Sequence, residues 1–144
     1  MSSGCLIDTN VLSELMRENP APQVLAWFAS QNPNRLKTTT ITHAEIQAGI
    51  ALLPAGKRSE AMTQAGAQIF EEDFSGRCID YGSQAVRHYA SVRAQRQRAG
   101  RPIDTADAQI AAIALSQKLT LVTRNTKDFE GIDGLQIINP WLHH

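Results

Sequence analysis

Short apolar or β-branched runs alternate along this chain with stretches of helical periodicity, and that alternation leaves few folds open. Cys5-Leu6-Ile7 stops at Asp8-Thr9-Asn10, as a buried strand does when its carboxyl end reaches solvent. Val11 to Glu18 reads as a short helix, and a second starts at Pro22, a first-turn proline, and carries Val24, Leu25, Trp27 and Phe28. Arg35 to Thr40 is polar but rich in β-branched residues and is assigned a strand. Thr42 opens the next helix, which Pro54-Ala55-Gly56 closes, and a further helix spans Lys57 to Glu72. Arg77 to Asp80 is a brief strand, and Ser83 to Ala99 is helical and stops at Gly100, a natural C′ residue. Asp104 to Gln117 is helical, Thr120 to Thr123 a strand, and Gln136 to Ile138 a last strand before Asn139-Pro140. Parallel neighbours need crossover connections, so strands that alternate with helices predict an α/β fold with a mostly parallel sheet and helices on both faces. With 144 residues, no internal repeat and no Gly/Ser linker, residues 1–144 are expected to form one domain.

Composition excludes several classes. No apolar run approaches the ~20 residues a membrane-spanning helix needs, so no membrane association is expected. Met1-Ser2-Ser3-Gly4-Cys5 shows no basic segment or small-residue cleavage site, so no secretory signal is expected either. Cys5 and Cys78 have no metal-ligand spacing and each sits in an apolar run, which predicts two buried, reduced thiols and a cytoplasmic location. Fourteen Lys+Arg balance fourteen Asp+Glu, so a uniformly basic coat for nucleic acid is excluded while a local basic patch is not. There is no Gly-rich phosphate loop. His143 and His144 are given no role.

The acids are the informative residues. Asp8 follows a strand directly, at the kind of crevice where open α/β sheets bind ligands; the alternative is an N-cap for the next helix. Thr42-His43-Ala44-Glu45 has the spacing of a capping box, with Glu45 reaching back to the Thr42 amide. Asp107 shares a helical face with Ile110, Ala111 and Ala114, so it lies at the edge of a buried stripe where a carboxylate needs a partner; a cap between Asp104 and Asp107 is the competing reading. Asn125 and Asp128 follow the strand Thr120 to Thr123 in a polar loop. A parallel sheet gathers strand exits on one edge, where clustered carboxylates repel and a hard divalent cation with oxygen ligands, Mg²⁺ or Mn²⁺, offsets the repulsion.

Leu6-Ile7-Asp8-Thr9-Asn10-Val11-Leu12-Ser13, Thr40 to Gly49, Ile103 to Ala112, Leu121 to Phe129 and the closing Asn139-Pro140-Trp141 stand in an order and spacing that resembles the PIN domain. Within it, the chain resembles the toxin ribonucleases of VapBC-type toxin–antitoxin modules, including the FitB-like branch. The resemblance covers Leu6 to Trp141 and implies a three-layer α/β/α sandwich on a roughly five-stranded sheet. It also implies Mg²⁺- or Mn²⁺-dependent endoribonuclease activity, homodimerisation, and inhibition by a cognate VapB- or FitA-like antitoxin. Asp8, Glu45 and Asp107 match the three central acids, expected to be catalytic and to hold the metal. The fourth acidic position falls on Asn125, whose part Asp128 or Asp104 could share, and Thr9, Asn10 and Thr123 match polar positions that support the site.

A polyanionic substrate needs local positive charge. Arg87, Arg93, Arg96, Arg98 and Arg101 stand in a segment without acids between Asp80 and Asp104. Arg93, Arg96 and Arg101 are expected to track RNA phosphates and Arg124 to contact the scissile group; a solvated helix face is the alternative. Tyr81, Tyr89 and Trp141 look scattered, so no stacking platform is expected. Leu12, Met16, Trp27, Phe28, Met62 and Phe70 are expected mostly in the core, any exposed ones forming a groove for an amphipathic antitoxin segment. A haloacid-dehalogenase-like phosphatase would need an aspartate where Asn10 stands, and a receiver domain would carry its acid on a middle strand. A catalytically degenerate PIN domain serving only in binding is the non-enzymatic alternative.

Overall fold

The computed structural model describes residues 4–144; the reading of Met1 to Ser3 as lacking a secretory signal lies outside the described residues. Among the described residues five strands form, β1 (Cys5–Ile7), β2 (Leu36–Thr39), β3 (Cys78–Ile79), β4 (Thr120–Val122) and β5 (Ile137–Ile138). Six helices connect them: α1 (Thr9–Leu15), α2 (Pro22–Ala29), α3 (Thr40–Ala51), α4 (Lys57–Ala67), α5 (Val86–Arg98) and α6 (Thr105–Gln117). The sheet order is β3-β2-β1-β4-β5 and every pairing is parallel, so the mostly parallel sheet expected from the alternation is parallel throughout.

Strands this short persist because both faces are covered. Leu6 and Leu121 turn to one face, where α5 and α6 contribute Val92, Ile110 and Ile113; all are buried. Cys5, Ile7 and Val122 turn to the other, against Val11, Leu12 and Met16 of the α1 segment, Trp27 of α2, Ile46 of α3 and Phe70. The alternation of strand side chains between faces thus builds two cores and three layers. Of the six large apolar residues expected in the core, Phe28 and Met62 are half-buried at its edge and the rest are buried. Alanines 108, 111, 112 and 114 are fully buried and bring α6 close to the sheet. The cysteines are free, Cys5 buried and Cys78 half-buried, and burial pushes both thiols up.

Two glycines are required by geometry. A Cβ on Gly4 would lie 2.3 Å from the Arg35 carbonyl oxygen, at φ +120°, where the chain enters β1 beside β2. Gly100, at φ +71°, ends α5 as its sequence position suggested.

Several element ends differ from expectation, and three of the differences matter for the site or the core. α1 spans Thr9–Leu15 rather than Val11 to Glu18, because Asp8 caps it directly. α3 begins two residues before Thr42: Thr39 is the N-cap, its hydroxyl accepting from the Thr42 amide at 3.0 Å, so Thr42-His43-Ala44-Glu45 is not a capping box and Glu45 is free of the cap. The helix expected to run from Lys57 to Glu72 changes at Gln68 into a π-helical turn, Gln68–Asp73, that seats Ile69 and Phe70 in the core. No helix among the described residues is long and apolar enough to cross a membrane.

Candidate active site

The connections β1→β2→β3 build outward to one side, and the chain then returns across the sheet to place β4 on the other side of β1. The strand order reverses between β1 and β4, which is where open α/β sheets leave a crevice at their carboxyl ends. Asp8 ends β1 there and Thr123 ends β4. Thr123 Oγ1 donates to Asp8 Oδ2 at 2.8 Å, closing the two strand ends together.

Asp8 is 3% exposed and its carboxylate takes two further hydrogen bonds, from the Thr9 amide to Oδ1 at 2.8 Å and from Asn10 Nδ2 to Oδ2 at 3.0 Å. The cap reading of Asp8 holds, since the bond to the Thr9 amide caps α1, and the rest of the carboxylate lies at the crevice. Asn10 Nδ2 also donates to Thr123 Oγ1 at 3.1 Å, while Asn10 Oδ1 accepts from the Arg124 amide at 3.0 Å. The Thr123 hydroxyl accepts from the Asn125 amide as well, at 3.1 Å. A carboxylate has about four lone-pair sites; among the described residues three are used here, leaving one on Oδ1. Burial raises the Asp8 pKa, and Glu45 adds to that, against the hydrogen bonds from Thr123, Thr9 and Asn10.

Thr9 links Asp8 to Glu45. Its Oγ1 donates to Glu45 Oε1 at 2.6 Å and lies 3.1 Å from the buried Thr42 hydroxyl. Glu45 is exposed, one helical turn into α3, with its carboxylate over the same crevice. Asp107 stands in the first turn of α6, whose N-cap Asp104 accepts from the Asp107 amide at 2.8 Å. The cap reading of the Asp104–Asp107 pair is thus borne out, yet Asp107 is also electrostatically part of the site. Its carboxyl is raised to about 7, first by burial, then by Asp104, Asp8 and Asp128. Asp8 therefore feels Glu45 on one side and acts on Asp107 on the other.

Among the described residues, no three His, Cys, Asp or Glu side chains are gathered into a ready metal cluster. The sequence pattern expected one; the structure instead draws the acids onto one crevice without closing them into a cage. The donors still suit a hard cation: they are all oxygens, Asp8 keeps a lone pair open among the described residues, and burial and neighbouring acids disfavour the charged forms of Asp8 and Asp107, which a cation would stabilise.

The arginines sort differently from expectation. Arg96 is buried, its guanidinium bonded to the Arg101 and Asp128 carbonyls, so it cannot track RNA phosphates from an open surface. Arg101 donates to the Lys127 carbonyl at 2.8 Å and pairs with Glu130 at 3.4 Å. Arg93 is exposed, donates to the Ile103 carbonyl at 3.2 Å and lies 5.8 Å from the Tyr89 ring centroid. Tyr89 meets Tyr81 edge-on at 6.0 Å, so these tyrosines are neighbours, where their spacing in the sequence had suggested they were scattered. Arg124 stacks over Trp141 with 4.8 Å to the ring centroid. Sequence reasoning missed this pairing, as it missed Thr39 as a cap and Thr42 beside the acids. A threonine at a strand end is a signal for Thr39; nothing local marks Thr42 or links Arg124 to Trp141. Beside Glu45 lies an apolar groove of about 220 Å³ lined by Met16, Ile46, Ile50, Leu53 and Met62, with Arg58 at its margin.

Comparison with known proteins agrees with this architecture. The PIN domain family model matches residues 5–135. The plasmid stability protein StbB of Pseudomonas syringae is 42% identical over 94% of this chain and 97% of its own length. The VapC ribonuclease Y4jK of Sinorhizobium fredii is 39% identical over 94% of this chain and 96% of its own. The crystal structure of FitAcB from Neisseria gonorrhoeae superposes with a TM-score of 0.87 at 35% identity, covering 96% of this chain and 99% of that one. The chain belongs to the PIN-domain family, in the branch that holds the VapC and FitB proteins.

Proposed function

We propose that this chain is the toxin ribonuclease of a type II toxin–antitoxin module, hydrolysing RNA phosphodiesters with the help of Mg²⁺ or Mn²⁺ bound at Asp8 and Asp107, with Glu45 directly or through water. The observation that carries the reading is the joining of Asp8 to Thr123 at the β1–β4 switch point, with Glu45 and Asp107 within electrostatic reach of Asp8. The relatives named ribonuclease support the reaction class. Solved FitAB and VapBC assemblies support a protein partner.

The chemistry supplied by a bound divalent ion is a lowered pKa for water and neutralisation of phosphodiester charge. The residues do the rest. Asp8 is held in one orientation by Thr9, Asn10 and Thr123, so its open lone pair is aimed without loss of side-chain entropy at binding. Glu45, fixed by the Thr9 hydroxyl, stands where it can receive a proton from an attacking water. Asp107, its carboxyl raised to about 7, would give up its proton to hold such an ion at little cost near neutral pH. Without a pair of histidines to run attack by a 2′-hydroxyl, in-line attack by water is the route, leaving a 5′-phosphate and a 3′-hydroxyl. Specific RNA recognition usually reads splayed single-stranded bases, so a structured loop such as a tRNA anticodon arm is the proposed substrate.

The groove beside Glu45 suits the apolar face of an antitoxin helix, laid in as amphipathic segments are. A VapB- or FitA-like antitoxin seated there would cover Glu45 and stop cleavage, and the toxin itself is proposed to act as a homodimer. Cleavage of RNA by the purified protein, mapped at its ends with and without chelator, tests the nuclease reading. D8N and D107N proteins are expected to lose cleavage, and full activity in either overturns it.

A further inference from the structure

Arg96 lies on the last turns of α5, 5% exposed. A guanidinium stays ionised in a protein, so its burial is tolerated where its donors are well used. Here Nε donates to the Arg101 carbonyl at 2.7 Å and Nη1 to the Asp128 carbonyl. Neither bond goes to a carboxylate. The two carbonyls belong to separate segments that both lead to the crevice: residues 99–104, which enter α6 at its cap Asp104, and the turn Thr126–Asp128, which follows β4. Arg96, Pro102, Ile103, Asp104, Asp107 and Asp128 line one cavity of about 220 Å³. Asp128 thus shares a cavity with Asp107, whereas Asn125 occupies the loop position where the family pattern allows an acid.

We propose that Arg96 is a positioning residue of the acidic site. By tying both segments to α5 it holds Asp128 beside Asp107, and Asp128 supplies the fourth carboxylate that Asn125 does not. The inference rests on the metal-nuclease reading above. It explains why an arginine expected to bind RNA is buried: a planar fork can serve two carbonyls from two loops, which an ammonium cannot do with the same geometry.

The test is a double-mutant cycle on Mn²⁺ affinity, read by electron paramagnetic resonance on the full chain, with thermal melting and RNA-cleavage kinetics alongside. D128N leaves the backbone carbonyl that Arg96 uses and is expected to weaken Mn²⁺ by about tenfold. R96K keeps the charge, loses the fork, and is expected to weaken it by a similar factor, lowering kcat with KM for RNA unchanged. The R96K/D128N protein is expected to bind no more weakly than D128N, because both changes remove one contribution. Wild-type Mn²⁺ affinity in D128N, or losses that add in the double variant, overturns the proposal. Should R96K fail to fold, R96Q takes its place in the cycle with the same expected result, and wild-type Mn²⁺ affinity in D128N still overturns the proposal. A wild-type chain that neither binds Mn²⁺ nor cleaves RNA overturns the nuclease reading and this inference together. A wild-type chain that does both, beside an indifferent D128N, overturns this inference alone.

Discussion

The Thr123 hydroxyl donates to Asp8 Oδ2 while accepting from Asn10 Nδ2 and the Asn125 amide, so one oxygen ties the end of β4 to the end of β1 and the loop beyond. Valine has the same shape and none of these bonds. T123V is expected to leave the donors of Asn10 and Asn125 short of an acceptor and to cost about 1–3 kcal/mol of stability. Because Asp8 also loses its orientation, divalent-ion affinity should fall by about 10–100-fold. Melting curves and a Mn²⁺ titration of the same protein check both; an unchanged affinity would show that Asp8 needs no help from Thr123.

The Asp107 carboxyl, raised to about 7 by burial, Asp104, Asp8 and Asp128, makes stability depend on pH in a definite direction. An unfolded aspartate titrates near 3.8. Between about 4 and 7 the folded metal-free protein therefore holds a proton that the unfolded chain releases, so this group's contribution is fully present below pH 4 and is lost as the pH rises through 7. Raising the pH from 5.5 to 8 is expected to lower the melting temperature of the metal-free protein, and D107N to flatten that fall. Mn²⁺ affinity should rise over the same interval, since cation and proton compete for one carboxylate.

The candidate site was partly legible in the sequence, because Asp8 directly follows β1 while Glu45 and Asp107 stand near the starts of α3 and α6, and a parallel sheet brings strand ends and helix starts to one edge whatever loops intervene. Asp8, Glu45 and Asp107 were legible for that reason, and so were the three layers, from the alternation of short strands with helices. What could not be read is which side chains face inward. Arg96 sits in an arginine-rich helical segment that looks solvated, and its burial depends on two carbonyls from loops that close only in the fold. The Thr42–Glu45 pattern misled because the true cap, Thr39, lies three residues earlier at the end of β2, and both patterns fit the same stretch. Arg124 meets Trp141 because the chain returns past it after β5, which no local pattern announces.

Gly4 predicts a purely structural effect. A Cβ there would meet the Arg35 carbonyl oxygen at 2.3 Å, and the backbone φ of +120° disfavours any L side chain. Since that oxygen belongs to the backbone, relief requires the entry to β1 to move away from β2. G4A is expected to lose about 2 kcal/mol or more by thermal or urea unfolding. Specific activity per folded molecule should be preserved, as Asp8 lies beyond the paired residues of β1.

Glu45 separates chemistry from stability more sharply. It is exposed, and its side-chain hydrogen bond among the described residues is with the Thr9 hydroxyl, so E45Q keeps helix α3 and its cap intact and should be within about 0.5 kcal/mol of wild type in stability. The glutamine amide can still accept from Thr9 but neither takes up a proton from water nor contributes charge. If Glu45 acts as the proton acceptor, E45Q should reduce the rate of RNA cleavage by about 10²–10⁴-fold. T9V, which keeps the carboxylate but releases it from its 2.6 Å bond, should fall between E45Q and wild type because a mobile Glu45 spends part of its time away from the reacting water. Single-turnover cleavage of one RNA by the three proteins measures the order. A T9V protein slower than E45Q would mean that the Thr9 hydroxyl, not the Glu45 carboxylate, is the group the reaction needs.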